Sequence, residues 1–175
     1  MEAKQDRPKY ADIPAKTIAE KLADDVLSWL RGESTREQVV ADLEKAIAYG
    51  HDGYDIAKYL DQFCSWGVDS QLVEILDNAF SVRSQLHDNA VQEWVLACSI
   101  KPALPVGAKV KVKNRAAKSN VVDGEVVSIN EKRGTYTVFI EALGHVRKGM
   151  GTTGIILTFE EVEMQTAESA EVSVS

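Results

Sequence analysis

From Ile13 to Ile100 apolar residues recur every three or four positions; beyond Pro105 they recur every second position. The first period is that of a helix packed on one face, the second that of a strand with one face buried. Ile18, Leu22, Val26, Trp29 and Leu30 form the first helical stripe. Asp12 and Pro14 supply its cap and first-turn proline, and Gly32 its stop. Ser34-Thr35-Arg36-Glu37 reads as a capping box for a second helix bearing Val39, Val40, Leu43, Ala46 and Ile47, which Gly50 ends. A third helix begins near Asp52-Gly53, carries Ile56, Leu60, Phe63 and Cys64 on its apolar face, and stops at Gly67. Asp69 caps a fourth with Leu72, Ile75, Leu76, Ala79 and Phe80. Asp88 or Asn89 caps a fifth with Val91, Trp94, Val95 and Cys98. About five short amphipathic helices predict an all-α bundle over residues 13–100, after a flexible N-terminus at 1–12.

Lys101-Pro102-Ala103-Leu104-Pro105 reads as a linker, 101–105. Lys109-Val110-Lys111-Val112-Lys113 then alternates strictly, which sends lysines to one face of a strand and valines to the other. A second strand is predicted over residues 124–130, a polar turn at Glu131-Lys132-Arg133-Gly134, and a third strand over 135–140. Short strands follow at residues 145–147 and 155–159, and a last one reaches Val162. About five short strands in residues 106–163 suit a small closed barrel, which removes exposed sheet edges. The chain is thus an α+β multidomain protein. Its small, acidic final residues, 164–175, are expected to be a disordered tail.

Composition is that of an ordinary globular protein, 45% hydrophobic and 27% charged over 175 residues. No apolar run approaches the roughly 20 residues that span a bilayer, and the N-terminus lacks an apolar targeting segment. With only Cys64 and Cys98, each on an apolar helix face, the reading is a cytoplasmic protein with reduced thiols. The net charge of −7 is unevenly spread. Residues 1–103 hold 11 basic against 18 acidic side chains, residues 104–159 hold 9 against 4, and residues 160–175 hold 5 acidic and no basic ones. The segments therefore suit different partners, or each other.

Three stretches resemble the SH3-like barrel superfamily, especially its Tudor-like and KOW-like modules. They are the opening strand Val106–Val112, the central hairpin Gly124–Ile140 and the turn Ala142–Val146, about a third of the chain. The resemblance implies a small SH3-like β-barrel at residues 106–163. A Tudor-like module implies an aromatic cage for methylated Lys or Arg, held by cation–π attraction. Tyr136 and Phe139 lie in the matching hairpin, but three positions apart, so they point to opposite faces of a regular strand. A KOW-like module implies contact with RNA or protein, which suits the basic charge.

Gly149-Met150-Gly151-Thr152-Thr153-Gly154 matches G-x-G-x-x-G. A dinucleotide site needs a helix after that motif, so that its N-terminus can hold the pyrophosphate. Here the strand-like Ile155-Ile156-Leu157-Thr158-Phe159 follows, so the glycines read as a turn or bulge between strands. His51, His87 and His145 are far apart, and with two cysteines no zinc spacing arises. No cofactor, metal or catalytic residue is therefore expected. The candidate binding residues are Lys109, Lys111, Lys113, Arg115, Lys118, Lys132, Arg133, Arg147 and Lys148, with Tyr136 as an aromatic contact. A basic set of this kind would attract phosphates through counterion release. Alternatively, the lysines solubilise an outer strand and discourage edge pairing.

The expectation is a non-enzymatic binding or adaptor protein. The barrel would engage protein or nucleic acid, RNA or DNA, and the helical domain would engage a protein partner. One rival is a regulatory inhibitor of the kind mobile elements encode, whose acidic helical domain occupies a nucleic-acid-binding surface. Another is a small enzyme with an interdomain site.

Overall fold

A computed structural model describes residues 6–31, 34–113, 121–143, 147–148, 151–152 and 154–162. The fold is α+β and divides into two compact units, one over Asp6–Val91 and one from Gln92 onward. The division falls between Val91 and Gln92, ahead of the proline-bounded segment 101–105.

The first unit opens with a 3-10 turn, Tyr10–Asp12, within the stretch expected to be flexible. Asp12 does not cap the first helix. Its carboxylate accepts from the Lys9 N–H at 2.8 Å and closes the turn instead. The turn is held by α4 (Ser70–Ala97): the Tyr10 ring meets His87 edge-on, and Arg83 Cζ lies 5.7 Å from the Tyr10 ring centre. Helix α1 (Ala15–Leu30) has Pro14 at its N-cap and buries Ile18, Ala19, Leu22, Ala23 and Val26. Arg31, at φ 52°, takes its left-handed C-cap, while Gly32 lies outside the described residues.

Helix α2 (Arg36–Tyr49) starts one residue later than the capping-box reading implied. The motif S/T-x-x-E/Q occurs twice in register, and Thr35 with Gln38 forms it. Thr35 Oγ1 accepts from the Gln38 N–H at 3.3 Å, and Gln38 Oε1 accepts from the Thr35 N–H at 3.2 Å. Helix α3 (Gly53–Cys64) is capped by Asp52, whose Oδ1 accepts from the Asp55 N–H at 2.8 Å. Its C-cap is Ser65, at φ 58°, two residues before the glycine expected to stop it. Asp69 caps α4 through the Leu72 N–H, and its Oδ1 also accepts from the Trp29 indole at 3.1 Å.

The expected fourth and fifth helices are continuous as α4, whose 28 residues contain neither Gly nor Pro to break them. The unit's core joins Ile18, Leu22 and Val26 to Val39, Leu43 and Ile47, and to Ile56, Leu60, Leu72 and Leu76. Gly53 marks its tightest approach. A Cβ there would lie 2.6 Å from the Asp77 backbone N and 2.7 Å from the Val73 carbonyl oxygen. The Gly53 N–H donates to Asp77 Oδ1 at 2.9 Å.

In the second unit α4 ends at Ala97; Ser99 follows in left-handed geometry at φ 50°, and the Ile100 N–H returns to the Val95 carbonyl at 3.0 Å. Strands β1 (Lys109–Lys113), β2 (Val121–Asn130), β3 (Thr135–Phe139), β4 (Arg147–Lys148), β5 (Gly151–Thr152) and β6 (Ile155–Thr158) follow. The described strands form a four-stranded antiparallel sheet, ordered β1-β2-β3-β6, and a separate β4–β5 pair. Between Val126 and Ser128 the β2–β3 register shifts by a residue, a bulge the alternation did not announce.

One sheet face buries Val110, Val112, Val126, Tyr136, Val138 and Leu157, closed over by Ile140 and Phe159. Gly124 faces that core because a Cβ would sit 2.5 Å from Val138 Cγ1. Val162 is buried in a helical turn at residues 159–162 rather than in a strand. Thr158 caps the turn: its hydroxyl accepts from the Glu161 N–H at 3.2 Å, and Glu161 Oε2 accepts from the Thr158 N–H at 3.0 Å. The tail at 164–175 lies outside the described residues.

Candidate interaction surfaces

The basic set predicted from the sequence separates into three groups. Lys109 and Lys111 project from β1 as the alternation requires, but neither ammonium stands alone. The register places Lys109 opposite Glu125 and Lys111 opposite Asp123. The corresponding ion pairs close at 2.8 and 2.6 Å. β2 alternates its acids as β1 alternates its lysines, and pairing the two converts a positive strand face into a mixed-charge ladder. Each exposed pair contributes at most about 1 kcal/mol to stability. Lys113 occupies the β1 position opposite Val121.

Lys132 and Arg133 belong to the β2–β3 turn, which Gly134 closes at φ 57°. The Arg133 N–H donates to Asn130 Oδ1 at 3.1 Å. Lys132 lines a groove of about 490 Å³ with Lys101, Glu131, Ile100 and Leu96. Arg147 and Lys148 form β4, with Lys148 opposite Gly151 of β5. Arg115 and Lys118 lie outside the described residues.

Tyr136 is not a surface contact. Its side chain is fully buried, its ring lies 4.4 Å from that of Phe159, and its hydroxyl accepts from the Leu104 N–H at 3.0 Å. It anchors the segment entering β1 to the centre of the sheet.

The G-x-G-x-x-G stretch is also accounted for by packing. Gly151 and Thr152 form β5, and Gly154 precedes β6, so no helix follows the motif. A Cβ on Gly154 would lie 2.8 Å from the Val138 carbonyl oxygen of β3. Gly149, Met150 and Thr153 lie outside the described residues.

Among the described residues, an exposed aromatic cluster lies on the helical unit. Tyr59 on α3 stacks on Tyr49 at the end of α2, with ring centres 5.5 Å apart and planes 9° apart. Phe63, one turn after Tyr59, completes the row at 4.8 Å. Tyr49 is 73% exposed and Phe63 71%, and Tyr54 on α3 is exposed too. Phe63 therefore leaves the core face assigned to it. The buried arc of α3 is Gly53, Ile56, Ala57 and Leu60. The i, i+4 spacing of Asp55, Tyr59 and Phe63 was the available signal.

Beside this row Trp66 and Cys64 converge on Asp42. The Trp66 indole donates to Asp42 Oδ2 at 3.3 Å. Burial pushes the Cys64 thiol above its ordinary pKa; the Asp42 charge and its hydrogen bond with the thiol add to this, and Lys45 opposes it. Cys64 and Cys98 are both free thiols. Among the described residues no three His, Cys, Asp or Glu side chains converge as a metal site, and no helix is long and apolar enough to cross a membrane. No protein-family model, curated protein or solved structure matches the chain.

Proposed function

We propose that the chain is a non-enzymatic adaptor whose helical unit engages a protein partner through the Tyr49–Tyr59–Phe63 row. The observation that carries this reading is the row itself, three touching rings with the outer two about 70% exposed. Contiguous exposed aromatic surface marks interaction sites, and tyrosine is among the residues that dominate binding energy there. The second unit, as an SH3-like barrel, supplies a second contact at the groove beside Lys132. Ion pairing at Lys109 and Lys111 lowers the positive charge available to phosphates, so this contact favours protein over RNA or DNA. Two free thiols fit a cytoplasmic setting.

The test is a nuclease-treated pull-down with the full chain, run beside the Tyr49→Ala/Phe63→Ala variant. A partner that the wild type retains and the variant releases supports the reading. Equal retention by both, or loss of every partner on nuclease treatment, refutes it. The inhibitor reading draws on one further observation: residues 6–91 carry 9 basic and 16 acidic side chains, a charge suited to covering a basic surface.

A further inference from the structure

We infer that the aromatic row receives an arginine-bearing, basic polypeptide segment. This rests on the helical unit being a protein-binding module and specifies what that module binds.

Ring geometry comes first. Tyr49 and Tyr59 lie nearly parallel, and Phe63 is tilted 39° to Tyr59. The row presents ring surface to solvent from the end of α2 along one turn of α3. A guanidinium is planar, weakly hydrated and able to lie flat on such a face, whereas a lysine ammonium meets it as a compact, strongly hydrated charge. The same unit already makes this contact internally, with Arg83 over the Tyr10 ring.

Charge selects among the occupants. Asp55 precedes Tyr59 by one turn on the same stripe of α3, and the exposed Asp52 and Asp61 lie on or beside the helix. The cations close in sequence are Lys45 and Lys58. The whole unit is net −7 by the count given above. A second copy would bring the same negative charge against this surface. Single-stranded nucleic acid would stack bases on the rings but carry its phosphates into that field. A basic segment gains from both features: guanidinium on ring, and a second guanidinium on carboxylate.

The experiment titrates the full chain at low and physiological salt with three synthetic peptides that differ only in carrying Arg, Lys or Glu at alternate positions. The arginine peptide is expected to bind, the lysine peptide about threefold more weakly, and the glutamate peptide not at all. Tyr49→Ala/Phe63→Ala is expected to weaken the arginine peptide about tenfold. Should that variant fail to fold, ring-proton shifts of Tyr49, Tyr59 and Phe63 in the wild type on adding peptide give the same answer.

Arginine and lysine peptides binding equally, rings unmoved at saturation, preferential binding of oligothymidylate, or self-association lost with the rings would each overturn the inference. A partner released by the ring variant in the pull-down, together with no arginine-peptide binding, removes this inference and keeps the adaptor reading. Failure of both removes both.

Discussion

Gly53→Ala sets two physical effects against each other. By helix propensity alone, alanine in the first turn of α3 should stabilise the unit by about 0.5–1 kcal/mol. By packing it should do the opposite, because the new Cβ would lie 2.6 Å from Asp77 N and 2.7 Å from Val73 O. Both are backbone atoms of α4 and cannot turn away as a flexible side chain would. Relieving the overlap by moving α3 costs about 1–3 kcal/mol of overpacking. It also stretches the 2.9 Å bond from Gly53 N–H to the Asp77 carboxylate. A hydrogen bond to a charged group contributes about 1.5–3 kcal/mol.

Packing wins, by roughly 2–4 kcal/mol net of the propensity gain. The assay is urea unfolding followed by the fluorescence of Trp29 and Trp66, which report on this unit. With a slope of about 2 kcal/mol/M, the midpoint should fall by ~1–2 M. A midpoint equal to or above that of the wild type would refute the close approach of α3 to α4.

Four further outcomes follow from single contacts. Thr35→Ala should cost about 1 kcal/mol and Ser34→Ala less than about 0.5, by thermal melts, because Thr35 is the cap of α2. Tyr136→Phe should destabilise the second unit by about 1 kcal/mol through the orphaned Leu104 N–H, read from hydrogen exchange at Val110 and Val138. Gly154→Ala should loosen β6 from β3, measured as faster exchange at Leu157, without creating or removing NAD or ATP binding. Because the folded Cys64 thiol titrates above its ordinary value, it contributes stability at neutral pH that is lost as pH rises past roughly 8.5. Stability of Cys64→Ala should therefore fall less between pH 8 and pH 10.

Periodicity carried most of the architecture. The switch from period 3.6 to period 2 at the Pro102/Pro105 segment separates helices from strands, and Val110 and Val112 lie inward as their alternation requires. Local signals of equal strength were less decisive. Ser34-x-x-Glu37 and Thr35-x-x-Gln38 satisfy the same capping rule, and tertiary placement chose the second. Asp88 and Asn89 resemble a cap, but a helix with no glycine or proline runs through them.

The candidate surface was harder to read, because charge and exposure depend on which residues face one another. Lys109 and Lys111 look like a phosphate patch until the β1–β2 register brings Glu125 and Asp123 opposite. Tyr136 looks like a contact until the sheet closes over it. Phe63 sits at a core spacing from Leu60 and at a stacking spacing from Tyr59; only the helix orientation decides between them.

The proposed role of the Tyr49–Tyr59–Phe63 row in partner binding is open to direct measurement. Its most direct test is the dissociation constant of the captured, purified partner for the wild type and for Tyr49→Ala/Phe63→Ala, with folding checked by circular dichroism. At least a ~10-fold rise is expected on removing the two exposed rings. An unchanged constant in a folded variant would contradict it.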